Sequence, residues 1–135
     1  MAIKVVLVED SLVALNILKR LLDESPEVEV VGTAQDGAAA LSVIESTNPD
    51  VICTDLEMEG MNGLEFTKAI MAKNPKPILV ISNAVHPSDV DNIYELMQAG
   101  ALDFFPKPTT GTETDYENLR MSLVTKIRVL STKAV

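Results

Sequence analysis

Short apolar runs alternate with longer amphipathic segments five times along this chain, and no other feature limits its folding options so strongly. The short runs are Ile3–Val8, Val28–Ala34, Val51–Thr54, Ile78–Ile81 and Ala101–Phe105. Three of them are apolar without alternation, the pattern of strands buried on both faces of a parallel sheet. The intervening segments carry apolar residues at helical spacing. Leu12, Leu15, Leu18 and Leu22 form one stripe, and Ala40, Val43 and Ile44 a second. Ile93, Leu96 and Met97 form a third, and Leu119, Leu123, Ile127 and Leu130 a fourth. Five βα units in one chain predict an α/β fold, a doubly wound parallel sheet with right-handed crossovers.

Local signals agree with this division. Asp36 and Asn62 are expected helix N-caps before Gly37 and Gly63, and Ser88 with Asp91 and Thr114 with Glu117 have capping-box spacing. Turns are expected at Ser25-Pro26, Asn48-Pro49 and Asn74-Pro75, because a residue before proline is pushed out of helical geometry. At 135 residues the chain suits one domain, able to fold without disulfide or metal.

Composition excludes several function classes. Twenty acids against 11 bases leave a net charge of −9, so there is no basic footprint for a nucleic-acid backbone. The four bases Arg120, Lys126, Arg128 and Lys133 stand in an acid-free C-terminal stretch, as suits the end of a last helix. A single cysteine, Cys53, excludes an internal disulfide and a cysteine metal cluster, and reads as core packing. His86 has no partner at metal-ligand spacing and reads as a loop residue. No apolar run approaches the roughly 20 residues that span a bilayer. Met1-Ala2-Ile3-Lys4 lacks the layout of a signal peptide, so a cytoplasmic protein is expected.

In a doubly wound sheet, ligands sit outside the carboxyl ends of the strands. Glu9 and Asp10 follow the first strand, Asp55 ends the third, Ser82 follows the fourth and Lys107 the fifth. Three carboxylates, a hydroxyl and an amine are therefore expected on one rim. Carboxylates forced together repel unless a cation joins them. Few rigid oxygen ligands, with waters to complete an octahedron, favour Mg2+ over Ca2+. With Asp10 and Asp55 on the metal, a free Asp55 oxygen could attack phosphorus to give an aspartyl phosphate. Lys107 could contact one phosphoryl oxygen as a point charge, and the Ser82 hydroxyl could donate to another.

Over about residues 2–130 the chain resembles a response-regulator receiver domain. The resemblance rests on Val5-Val6-Leu7-Val8-Glu9-Asp10-Ser11, on Val30–Gly37, and on Pro49-Asp50-Val51-Ile52-Cys53-Thr54-Asp55-Leu56-Glu57-Met58. It continues in Gly60-Met61-Asn62-Gly63-Leu64-Glu65-Phe66 and in Ala99–Pro108. Within the family it is most similar to the receivers of the chemotaxis methylesterases (CheB-like), through Gly63-Leu64-Glu65-Phe66, Ile81-Ser82 and Asp103-Phe104-Phe105-Pro106-Lys107-Pro108. Those enzymes carry a hydrolase domain after the receiver, so the chain is expected to be either a stand-alone receiver or part of a longer protein. Residues 1–130 would form the receiver and 131–135 a tail or the start of a linker.

The resemblance implies a flavodoxin-like (βα)5 fold with strand order 2-1-3-4-5, and it implies roles. Asp55 matches the phosphoacceptor, Asp10 the direct Mg2+ ligand and Glu9 the second acid, often acting through water. Glu57 would offer its backbone carbonyl to the metal. Ser82 and Lys107 match the two phosphoryl-sensing positions, and Phe104 the aromatic switch whose rotamer reports phosphorylation. The Lys107–Pro108 bond coincides with a position that is cis in the family, and proline makes that isomer accessible. Four residues depart from the usual pattern. Glu9 stands where aspartate is commoner, Glu59 replaces a proline, Asn83 replaces a smaller residue at the donor entrance, and Glu57 adds a carboxylate near the rim.

The implied partners are a histidine kinase as phosphodonor and an effector domain or protein docking on the last helix and last strand. The receiver would be a monomer or a phosphorylation-dependent dimer, without direct nucleic-acid or membrane binding. Self-phosphorylation and autodephosphorylation are the only reactions expected. A flavodoxin-like binding module shares the fold, but Glu9-Asp10 would repel a flavin phosphate. An aspartate-based phosphohydrolase would want a second acid beside its nucleophile and a cap over its substrate, and a non-phosphorylated scaffold would have no use for the full set of rim groups.

Overall fold

A computed structural model describes residues 2–55, 60–82, 94–106 and 113–133, with the side chains of residues 82 and 113–115 outside that description. The apolar runs become strands β1 (Ile3–Val8), β2 (Val28–Ala34), β3 (Val51–Asp55), β4 (Ile78–Ser82) and β5 (Asp103–Pro106). They pair in parallel in the order β2-β1-β3-β4-β5, as the resemblance implied. Parallel neighbours cannot be joined by a tight hairpin, and the amphipathic segments supply the crossovers. These are α1 (Leu12–Asp23), α2 (Gly37–Thr47), α3 (Gly63–Lys73) and the helical residues 94–99 (α4), while α5 (Glu113–Ser131) follows the last strand.

Side chains alternate across the pleat, so each strand feeds two cores. Val5, Leu7, Val51, Cys53, Leu79, Ile81 and Phe105 pack with the apolar stripes of α1 and α5. Val6, Val8, Ile52, Ile78 and Val80 pack on the other face with Ala40, Ile44, Phe66, Ile70 and Leu96. No helix among the described residues is long and apolar enough to cross a membrane.

Register decides what reaches the rim. The β1–β2 ladder slips between Val5 and Val6, whose partners are Val30 and Gly32. The residue skipped is Val31, and the slip sets Ala34 opposite Val8. The Glu9 N–H then donates to the Ala34 carbonyl at 3.0 Å, tying the ends of the two strands. Glycine is needed at the slip. A β-carbon on Gly32 would lie 2.4 Å from Cγ1 of Val43, so its absence lets α2 settle on β2.

Several local expectations hold in atomic detail. Asp36 Oδ1 accepts from the Ala39 N–H at 2.7 Å, and Asn62 Oδ1 from the Glu65 N–H at 2.8 Å. Asn48, before Pro49, adopts φ 48° and closes α2 in the left-handed region.

Three expectations are corrected. Leu12 is not part of the α1 stripe. It is the first helical residue and is 57% exposed, while Leu21 takes a buried place. Thr114 does not cap the last helix, because α5 already begins at Glu113. β5 starts at Asp103 instead of Ala101, since the Ala101 N–H still donates to Leu96 O at the end of α4. The Ser88–Asp91 box, Ile93 and His86 lie outside the described residues.

The bases of the last helix are largely engaged within the fold. Arg120 reaches Glu24 at 2.7 Å, Arg128 reaches Glu27 at 2.9 Å and Lys126 reaches Asp103 at 3.1 Å. Pairs this exposed contribute little stability each, but they anchor α5 to the end of α1, the turn before β2 and the start of β5.

Candidate functional site

The rim at the carboxyl ends of β1 and β3 is built from strand ends that force acids together. Glu9 directly follows β1 and is 1% exposed, and Asp55 ends β3 at 7% exposed. Asp10 between them is exposed. One carboxylate oxygen from each of Glu9, Asp10 and Asp55 lies within 4.8 Å of the other two.

Hydrogen bonds hold this arrangement from several sides. Glu9 Oε1 accepts from the Ser11 N–H at 3.3 Å. The Ser11 hydroxyl in turn accepts from the Ala14 N–H at 3.3 Å and caps α1, so one residue orients the buried acid and starts the helix. Gln35, just past β2, donates from Nε2 to the Asp10 carbonyl at 3.4 Å. Thr54 donates from its hydroxyl to the Asp55 carbonyl at 3.1 Å.

The donor set suits a hard cation. Three carboxylates at this separation repel one another, and two of them have lost most of their water. One ligand oxygen from each of three carboxylates leaves places for water, which matches a small octahedral ion better than a calcium cage. The groove of about 310 Å³ between α2 and α3, lined by Leu41, Ile44, Ile70 and Lys73 among others, shares no residue with the acid cluster.

Of the groups expected on the rim, Glu9, Asp10 and Asp55 come together. Ser82 ends β4 beside Pro106 of β5, with its side chain outside the description. Lys107, Glu57, Glu59, Asn83 and the Lys107–Pro108 bond lie outside the described residues. Phe104 lies on β5 opposite Val80 and is half-buried. Sequence reasoning passed over Ser11, Gln35 and Thr54. Ser11 carried a readable signal, a serine set just before an apolar helical stripe, and Thr54 was the one polar residue in an otherwise apolar run.

Cys53 faces the core shared with α1 and α5 and stays apart from this chemistry. Burial pushes its thiol up to about 12.

The response regulator receiver domain family matches residues 5–115. The chain belongs to that family. Among solved structures it is similar to the response regulator domain of Thermotoga maritima CheB, with a TM-score of 0.85, 32% identity and full coverage of both chains. It is also similar to the receiver domain of the response regulator NarL from Mycobacterium tuberculosis, with a TM-score of 0.72 and 32% identity over 92% of this chain and 97% of that one. Among curated proteins, a protein-glutamate methylesterase/protein-glutamine glutaminase of Pyrococcus horikoshii is 36% identical over 126 residues, covering 93% of this chain and 34% of the relative. A namesake of the group 3 operon of Rhodopseudomonas palustris is 41% identical over 110 residues, covering 82% of this chain and 30% of the relative. This receiver thus spans about a third of the length of the curated relatives it matches.

Proposed function

We propose that this receiver takes a phosphoryl group from a histidine kinase onto Asp55 in a Mg2+-dependent reaction, and that the transfer switches its conformation. The observation carrying this reading is the meeting of three carboxylate oxygens within 4.8 Å, with Asp55 at the very end of β3. Bound Mg2+ would offset negative charge between the carboxylates and the incoming phosphoryl oxygens. Asp10 and Asp55 would hold the ion directly, with Glu9 acting through water and Glu57 through its carbonyl.

The chain's own groups account for the rest. An Asp55 carboxylate oxygen forms the new bond to phosphorus as the phosphorus–nitrogen bond of the phosphohistidine breaks and leaves imidazole. Lys107 and Ser82 would contact the transferred oxygens, and Ser82 with Phe104 would relay the change toward β5 and α5. Water attack on the acyl phosphate then returns free Asp55 and inorganic phosphate. A charged phosphoryl group favours whichever conformer contacts it better, and so shifts an existing equilibrium.

The receiver unit would span residues 1–130, with 131–135 leading away from it. The output would be an effector domain or protein docking on α5 and β5, where Met121 and Val129 stand 65% and 50% exposed. Likeness to the methylesterase receivers favours chemotaxis, in a cytoplasmic protein that is a monomer or a phosphorylation-dependent dimer. Incubation with an autophosphorylated chemotaxis histidine kinase tests the reading. Label should leave the kinase and appear on this chain, with none on Asp55→Asn. Retention of all label on the kinase would overturn it.

A further inference from the structure

The apolar run of β3 breaks at one residue. Thr54 is 1% exposed and sits between Val8 of β1 and Val80 of β4, both members of the α2/α3-side core. The steric demand of that place is met by any β-branched side chain, and valine would satisfy it without burying a hydroxyl. The hydroxyl has a use. It donates at 3.1 Å to the backbone carbonyl of Asp55, the next residue and the last of the strand. Because side chains alternate along a strand, Thr54 supports Asp55 from the opposite face of the sheet.

We infer that Thr54 is a positioning residue for the acid cluster, holding the Asp55 carbonyl so that the Asp55 carboxylate stays within reach of Glu9 and Asp10. This rests on the reading of Asp55 as phosphoacceptor. The bond acts on the torsion that follows the Asp55 α-carbon. It therefore sets the direction in which the chain leaves β3. Swapping the hydroxyl for a methyl group keeps the β-branched shape and removes the bond to the Asp55 carbonyl. Loss of a supporting hydrogen bond behind a ligand commonly weakens metal binding about tenfold.

The test compares the wild-type chain with Thr54→Val, Thr54→Ser and Asp55→Asn. Mg2+ is titrated and followed by amide NMR shifts, phosphoryl gain from acetyl phosphate is timed by intact mass, and urea midpoints are measured without metal. Thr54→Val should keep a midpoint near the wild type, bind Mg2+ about tenfold more weakly and label correspondingly slowly. Thr54→Ser, which retains the hydroxyl, should bind and label within about twofold of wild type, a rescue that mere packing would not produce. If wild type labels and Thr54→Val matches it in Mg2+ affinity and rate, or if Thr54→Ser is as impaired as Thr54→Val, the positioning role is wrong while the phosphoacceptor stands. If wild type binds no Mg2+ and takes no label from acetyl phosphate or from a phosphorylated histidine kinase, the phosphoacceptor reading fails and takes this one with it.

Discussion

The Met61 side chain occupies the space that a β-carbon on Gly37 would need, with Sδ 2.7 Å and Cβ 3.0 Å from that position. Gly37 opens α2 and is buried, while Met61 lies beyond Asp55 on the approach to α3. The contact sets Met61 against the start of α2. A methionine tip bends easily, but its Cβ cannot move without the backbone.

Gly37→Ala should therefore destabilise the protein by about 1–2 kcal/mol, the overpacking outweighing the better helix propensity of alanine. Urea midpoints for Gly37→Ala, Met61→Ala and the double variant check this. The double variant should be more stable than the sum of the single losses, and strict additivity would show that the two residues do not compete for space.

Alkaline pH should weaken the fold through Cys53. Its thiol would ionise near 9 when unfolded but is held up to about 12 in the folded chain. Between those values the unfolded state has lost a proton that the folded state keeps. The contribution is thus intact below about pH 9 and declines as pH rises toward 12, by at most about 1.4 kcal/mol per pH unit. Cys53→Ala should flatten that limb of the stability–pH curve while lowering its plateau through the cavity it leaves. The same burial should keep the native thiol unreactive toward iodoacetamide at pH 8 until urea unfolds the chain.

Tyr116 on α5 has a buried hydroxyl with no hydrogen-bond partner among the described residues. Burial raises its pKa, with Glu24 adding to the rise and Arg20 and Arg120 opposing it. Tyr116→Phe removes the unpaired group and should be neutral or stabilising by up to about 1 kcal/mol in urea unfolding at pH 7. Because the folded pKa is the higher one, wild-type stability is untouched by this titration below pH 10 and declines above it. The phenylalanine variant should lack that decline.

Mg2+ should stabilise the chain by relieving repulsion among Glu9, Asp10 and Asp55. At ten times its dissociation constant the gain is about 1.4 kcal/mol, read as a rise in urea midpoint reversed by EDTA. Asp10→Asn should be more stable than wild type in metal-free buffer and should lose most of the Mg2+ response. An undiminished response would move the ion elsewhere.

Much of this is legible in the sequence. Unbroken apolar runs such as Ile78–Ile81 announce buried parallel strands, and short polar side chains before Gly37 and Gly63 announce caps, because both signals are local. The acids of the rim followed from strand order, since groups at successive carboxyl ends must share an edge. What escaped depends on register and contact. The slip at Val31, the departure of Leu12 from its stripe and the Gly37–Met61 contact arise from how elements meet. The support from Gln35 to Asp10 joins residues 25 apart in sequence, and no periodicity encodes such a pair.

The central claim is that Asp55 accepts a phosphoryl group with the help of a bound cation. Intact mass after incubation with Mg2+ and acetyl phosphate tests it most directly. The account predicts a gain of a single phosphoryl group, about 80 Da by the formula of the added HPO3, that is absent without Mg2+ and absent in Asp55→Asn. An equal gain in Asp55→Asn, or none in the wild type even with a phosphorylated kinase, would contradict it.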